Sequence, residues 1–418
     1  MMNRRTFAAA IAGSIAASRS IRAQTVKAKT VFYASVGPEL ALYDIDVDGA
    51  ALTRRSAVTL PAGVQYAWPH PSKRYFYIAS SNGQPGGGSI NQGDKHYASA
   101  FRIDPATGAL APHGRTVTLN SRPIHTSVDG SGQFLMIAYN DPSQVTVHRL
   151  NADGTLGDMV QQPATPDAGI YAHQIRTTPS NRTALLVTRG NNPAGAKGED
   201  PGALKVFAFK DGVLTKLQSL APNNGYGFGP RHLDFHPSQP FVFVSLERQN
   251  KLYVYRLETD GKLSADPIFR KDSLADPAHP FPGQGAGTVH VHPNGRFVYQ
   301  ANRNANTADY QGKKVFAGGE NNMAVYAINE RTGEPTLIQT IDGRGIQLRT
   351  FAVDPSGRLL VAASIQPLLI RDGDKLANLS AGLTVYRIGD DGKLSFARKY
   401  DVDTAKGTQF WSGMVTLA

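Results

Sequence analysis

The chain is 418 residues long with a formal net charge of +11 and no cysteine, which excludes disulfides, thiol nucleophiles and Cys-based zinc sites. An apolar share of 41% is that of a folded protein rather than a disordered one, and 42 glycines suit short strands joined by tight turns. The Lys and Arg residues are scattered, with no basic run or nucleic-acid motif, so the charge points to a solvated surface and an anion-attracting pocket and not to nucleic acid.

In chain order, residues 1–23 come first and differ from the rest. Arg4-Arg5 lead an Ala-rich apolar stretch that ends in small residues near Ala23-Gln24, the pattern of an export signal of twin-arginine type. The apolar run is too short to span a bilayer. Its removal leaves a mature chain of 24–418 at roughly +7, with no integral membrane segment, expected as a single monomeric domain of the periplasm.

From Val31 onward one short pattern returns: an alternating apolar strand, a turn, a second strand, then two more strands joined by a Gly turn. The first turn stands at His70-Pro71-Ser72, Asp129-Gly130-Ser131, Thr178-Pro179-Ser180, His236-Pro237-Ser238, His292-Pro293-Asn294 and Asp354-Pro355-Ser356. The later Gly turn falls near Gly49, Gly108, Gly154, Gly212, Gly261, Gly333 and Gly392, which makes seven units of four strands. Period-two alternation in such units predicts an all-β fold, a seven-bladed β-propeller with four antiparallel strands per blade. Unit one starts at its second strand, Val31 to Val36, and residues 408–415 follow the last unit as an unpaired first strand. A ring closed by that C-terminal strand, completing the first blade, is therefore predicted. Three long segments, Asn82 to His96, Gly190 to Gly202 and Asn302 to Asn322, each join a second strand to a third and should emerge on one face.

Counting from the turn proline, or from Gly130 in its place, two positions stand out. Six residues before it come His173, Arg231 and Arg349; ten after it come Asn140, Arg189, Glu247 and Arg303. First strands of a propeller line the central channel, so these side chains should converge at one mouth. Arginine forks suit carboxylate or phosphate and can steady an oxyanion, while Glu247 or His173 can act as general base. The same residues could instead bridge blades through salt bridges, with Glu247 neutralising Arg231. His125 and His232, one position along, should face the opposite way and hold strands together, and His236 and His292 should be surface turn residues. No metal-binding spacing, calcium loop, P-loop, nucleophile elbow or dinucleotide fingerprint is present, so no cofactor is expected.

The segments from Gly229 to Pro237 (GPRHLDFHP) and from Pro293 to Arg303 (PNGRFVYQANR), with Asp354-Pro355-Ser356-Gly357-Arg358, resemble the lactonase family that includes 6-phosphogluconolactonases and carboxymuconate cyclases. The resemblance implies a metal-independent propeller enzyme with catalytic Glu247, His173 and Arg231 and a further arginine from Asn302-Arg303; the repeated positions then put Arg303, Arg349, Arg189 and Asn140 around the substrate. Leu246-Glu247-Arg248 and Gly287-Thr288-Val289 depart from the family's common Asn-Glu-Leu and Ala-Glu-Ile. Export argues against a cytosolic sugar phosphate. The expected function is hydrolysis of another anionic or sugar-derived lactone; the alternatives are a muconate-type lactonising cycloisomerase and a non-catalytic periplasmic propeller that binds a ligand or protein.

Overall fold

A computed structural model describes residues 29–84 and 93–418. The proposed export segment, and the middle of the loop after Asn82, lie outside the described residues.

Seven antiparallel sheets follow one another along the chain, six of four strands and the second of five, where Leu110–Pro112 and Val117–Thr118 both pair with His96–Ile103; each of the seven Gly turns joins the third strand of a sheet to its fourth. Sheet one takes its first strand from the C-terminus: Ser412–Thr416 lies antiparallel to Thr30–Val36, with Val31 opposite Val415 and Tyr33 opposite Gly413. The pairing continues through Ser35 N to Trp411 O at 2.8 Å and Gly37 N to Thr408 O at 3.0 Å. The predicted C-terminal strand is thus present. Among the described residues the only helical segment is the single 3-10 turn Pro222–Gly225.

Alternation explains how the sheets stack. In the strand Thr30–Val36, Phe32 and Ala34 pack toward sheet seven while Val31 and Tyr33 pack toward sheet two. Buried apolar cores of this kind lie between sheets one and two, two and three, and onward to seven and one. Second strands have a neighbouring sheet on both faces and are buried throughout, as in Phe134–Asn140 and Phe297–Arg303. Outer strands such as Val213–Leu220 expose most of their length. The seams also carry polar locks: Tyr77 Oη donates to Gly154 O at 2.9 Å and Tyr299 Oη to Gly392 O at 3.0 Å, each reaching into the next sheet.

The turn histidines belong to these locks and are not surface residues. His236 and His292 are buried, and their Nε2 atoms donate to Gly295 O and Gly357 O of the next sheet at 2.8 Å, while Nδ1 accepts backbone N–H groups of its own turn. His70 does the same to Gly132 O at 2.9 Å.

Of the three long segments, the last holds a hairpin, Thr307–Tyr310 with Lys313–Phe316. A further insertion, not picked out from the sequence, forms a second hairpin, Leu368–Asp372 with Lys375–Leu379, between the second and third strands of sheet seven. The two hairpins join through a parallel bridge at Val315 and Leu369 into an eighth sheet outside the repeat, where Arg371 stacks on Tyr310 at 4.2 Å.

Candidate active site

The first strands of successive sheets contact one another from sheet two onward to the C-terminal strand of sheet one, and all of them but that C-terminal strand carry an irregularity at the position six before the turn. Register shifts fall at Gln65, His173, Arg231 and Arg349, at Ile124, and across Gly287-Thr288. A bulge sets two residues opposite one and re-aims side chains. That is why Arg231 and His232, consecutive in sequence, both reach the interior.

Glu247 is the anionic hub. Its Oε1 accepts Arg303 Nη2 at 2.6 Å, and Oε2 lies 3.4 Å from Arg189 Nη1 and 3.6 Å from Arg231 Nε. Burial would raise this carboxyl, but Arg303, Arg189 and Arg231 together outweigh burial and hold it down at about 2. Arg231 is 1% exposed, and burial and Arg303 pull its guanidinium down to about 9, so it stays charged at neutral pH. Arg349 is half-buried, stacked over Phe410 at 3.6 Å, and loss of solvent and Arg231 push it well below the ordinary arginine value. Arg189 stacks on Tyr171 at 4.2 Å.

His173 sits among these cations. Burial, then Arg231, Arg349, Arg189 and Arg303, keep its imidazole neutral, and its Nδ1 has no hydrogen-bond partner. Nε of Arg189, Nε and Nη2 of Arg231, and Nε of Arg303 are likewise buried without a hydrogen-bond acceptor. Asn140 is buried at the end of its strand with Oδ1 unpaired, but bonds to none of the arginines or Glu247.

Two expectations are corrected. His232 faces the cluster, 5.0 Å from the His173 ring: its Nδ1 lies 3.3 Å from Arg231 Nη1 and shares a hydrogen bond with Thr288 Oγ1 of another sheet at 3.0 Å, and Thr288 Oγ1 donates to Arg349 O at 2.8 Å. His125 holds no strands together, since neither of its nitrogens has a partner; it packs on Tyr66 at 4.1 Å.

Arg122 escaped the sequence reading. It is 1% exposed, donates to Gln65 Oε1 at 2.6 Å and leaves Nε unpaired. Burial lowers it, and its charge in turn depresses Arg349. Arg122 and Tyr171 both stand eight residues before their turns, so a third repeated position would have found them. Phe410 had no such signal, because the C-terminal strand carries no Pro-Ser turn to count from. Arg248, the departure beside Glu247, turns outward: it pairs with Glu199 and donates to Asn192 Oδ1 at 2.8 Å, pinning the Gly190 to Gly202 loop. Among the described residues no three His, Asp or Glu side chains converge as metal ligands, and no helix is long and apolar enough to cross a membrane.

Successive antiparallel sheets, with a cationic cluster where their first strands meet, fit a β-propeller with a charged site between its sheets. Residues 31–366 match the family described as lactonase, 7-bladed beta-propeller, and the chain belongs to that family. The enzyme class so defined is a lactonase, a hydrolase of cyclic esters. The chain is 27% identical over 330 residues to the 6-phosphogluconolactonase of Bacillus subtilis, covering 77% of this chain and 83% of that one. Among solved structures, the periplasmic gluconolactonase of Pseudomonas aeruginosa has a TM-score of 0.66 at 20% identity, covering 93% of this chain and 99% of the other. A Lactobacillus plantarum protein gives 0.67 at 21% identity, with coverage of 93% and 99%. At those identities the structural likeness speaks to the fold.

Proposed function

We propose that this protein hydrolyses an anionic or sugar-derived lactone without a metal, at the cluster around Glu247. The observation that carries the reading is the imbalance of charge: Arg122, Arg231 and Arg303 are buried and Arg189 and Arg349 half-buried around one neighbouring carboxylate, and several of their N–H donors point at no acceptor. Unused buried donors on charged groups are costly, and an anionic ligand would satisfy them. Arg303, Arg349, Arg189 and Asn140 hold the substrate in this proposal. A water oxygen adds to the lactone carbonyl, its proton passing to His173 or Glu247. Arg231 steadies the resulting oxyanion; the ring C–O bond then breaks and the leaving oxygen takes the proton, yielding the hydroxy acid.

The cations that keep His173 neutral and hold Glu247 at about 2 make both groups weak bases in the ligand-free protein. Glu247 gains basicity when a substrate anion competes for its arginines. The same proposal includes a ring of sheets closed by the C-terminal strand, supported by the apolar seam between sheets seven and one. It also takes 24–418 as one monomeric domain exported to the periplasm, supported by the Arg4-Arg5 leader.

The test is proton release from a panel of lactones, phosphorylated and not, with Glu247→Gln and Arg231→Ala beside the wild type. Turnover of an anionic or sugar lactone that falls at least about 100-fold in both variants, with folding intact, supports the assignment. Unchanged turnover in both removes the cluster from the chemistry. A wild type inert on every lactone, but consuming a muconate diene by ultraviolet absorbance, selects the cycloisomerase instead.

A further inference from the structure

At the other end of the first strands, toward the Pro-Ser turns, lies a second pocket of about 310 Å³ that the lactonase reading does not use. That volume is at the small end of ligand sites. Tyr66, Trp68, Phe351, Trp411 and Met414 form its apolar walls, and His290 supplies a polar edge. Pro69 and Pro293, next to their turns, place its mouth away from the long loops. Tyr66, His125 and His232 separate it from the arginines, with ring centroids 4.1 Å apart for the first pair and 6.4 Å for the second.

The polar edge is held in one orientation. Asp234 is buried beside Arg176, whose Nη1 donates to Oδ1 at 2.6 Å; Oδ2 accepts Val291 N at 2.9 Å and His290 Nδ1 at 3.4 Å. Burial would raise the Asp234 carboxyl, but the Arg176 guanidinium beside it keeps it ionised, so it can only accept. His290 Nδ1 therefore carries the hydrogen, and in the neutral ring Nε2 is a bare acceptor. Nε2 has no partner among the described residues, and the ring is fixed edge-on to Phe351 at 4.9 Å, with its side chain 34% exposed. Aromatic walls with one oriented acceptor at the rim match a flat ring bearing a hydroxyl.

We propose that this pocket is a second ligand site, separate from the arginine cluster, that takes a phenol-class molecule with its hydroxyl donating to His290 Nε2. The proposal does not depend on the lactonase reading, and the chain carries its own probe. Both of its tryptophans, Trp68 and Trp411, line this pocket.

The experiment titrates purified full-length protein with phenol, and with toluene as the ring without a donor, reading tryptophan emission and equilibrium dialysis together. Phenol is expected to bind in the millimolar range or tighter. His290→Phe is expected to weaken phenol about five-fold, the worth of one hydrogen bond, while leaving toluene within about two-fold. Lactone turnover should be the same in that variant. An absence of phenol binding by both readouts in the wild type overturns the proposal, as does a His290→Phe variant that binds phenol as the wild type does or weakens both ligands alike. Displacement of phenol by toluene in the wild type supports one shared pocket should the variant fail to fold, and independent binding of the two overturns it.

Discussion

Glu247 serves two purposes that pull against each other. As the carboxylate nearest to Arg189, Arg231 and Arg303 it permits those arginines to be buried, and for the same reason it is a poor base until something else engages them. Glu247→Gln should therefore cost about 3–5 kcal/mol in urea unfolding at neutral pH, the usual penalty for stranding a buried charge, as well as turnover. The pH dependence has a definite sign. The carboxyl falls from 4.5 to about 2 on folding, so its contribution is complete above about 4.5 and is lost as the pH drops toward 2. Wild-type unfolding midpoints should fall more steeply than those of Glu247→Gln across that window. Parallel curves would mean that the ion cluster adds no stability.

The elements are repetitive, and their deviations from regularity carry the chemistry. A bulge at one repeated position turns His173, Arg231 and Arg349 inward, while a glycine at another presses every outer turn but that of Gly49 against the preceding sheet. Gly212 has φ +83°, and a Cβ there would stand 2.7 Å from the Phe134 ring of the preceding sheet. Gly212→Ala should lose about 2 kcal/mol or more in thermal or urea unfolding, from left-handed strain plus the clash. Gly373→Ala is the control: φ is +63° but nothing lies within 4 Å, so it should lose less. Equal losses would show that conformation alone accounts for the glycine.

Slot counting brought His173, Arg189, Arg231, Glu247, Arg303 and Arg349 together from sequence because equivalent residues of a repeat occupy equivalent places. It placed Asn140 in the same slot, but no bond joins that side chain to the cluster. It also misjudged His236 and His292, since a turn residue looks exposed until the adjacent sheet covers it.

For the whole molecule, the strand Ser412–Thr416 makes the N-terminal sheet four-stranded. Without it Thr30–Val36 presents an open hydrogen-bonding edge, and Trp411, Val415 and Leu417 leave the core between sheets one and two. A chain ended at residue 409 should be recovered mainly as aggregate, measured as soluble yield and by size exclusion. A soluble, cooperatively unfolding monomer would show that the ends need not meet. The eighth sheet, made of two insertions from different units, is tertiary in origin: neither hairpin is paired outside itself until sheets six and seven bring Val315 beside Leu369.

The four-strand repeat, the turn glycines, the C-terminal strand and the repeated charged positions follow from the sequence alone, because alternation and turn chemistry act within a few residues of the chain. Tertiary structure decided what distance in sequence conceals. It placed Arg122 and Phe410 beside Arg349, turned Arg248 out to the Gly190 to Gly202 loop, buried the turn histidines and set both tryptophans around one pocket. Those outcomes depend on which faces of separate sheets meet, and no local pattern encodes that.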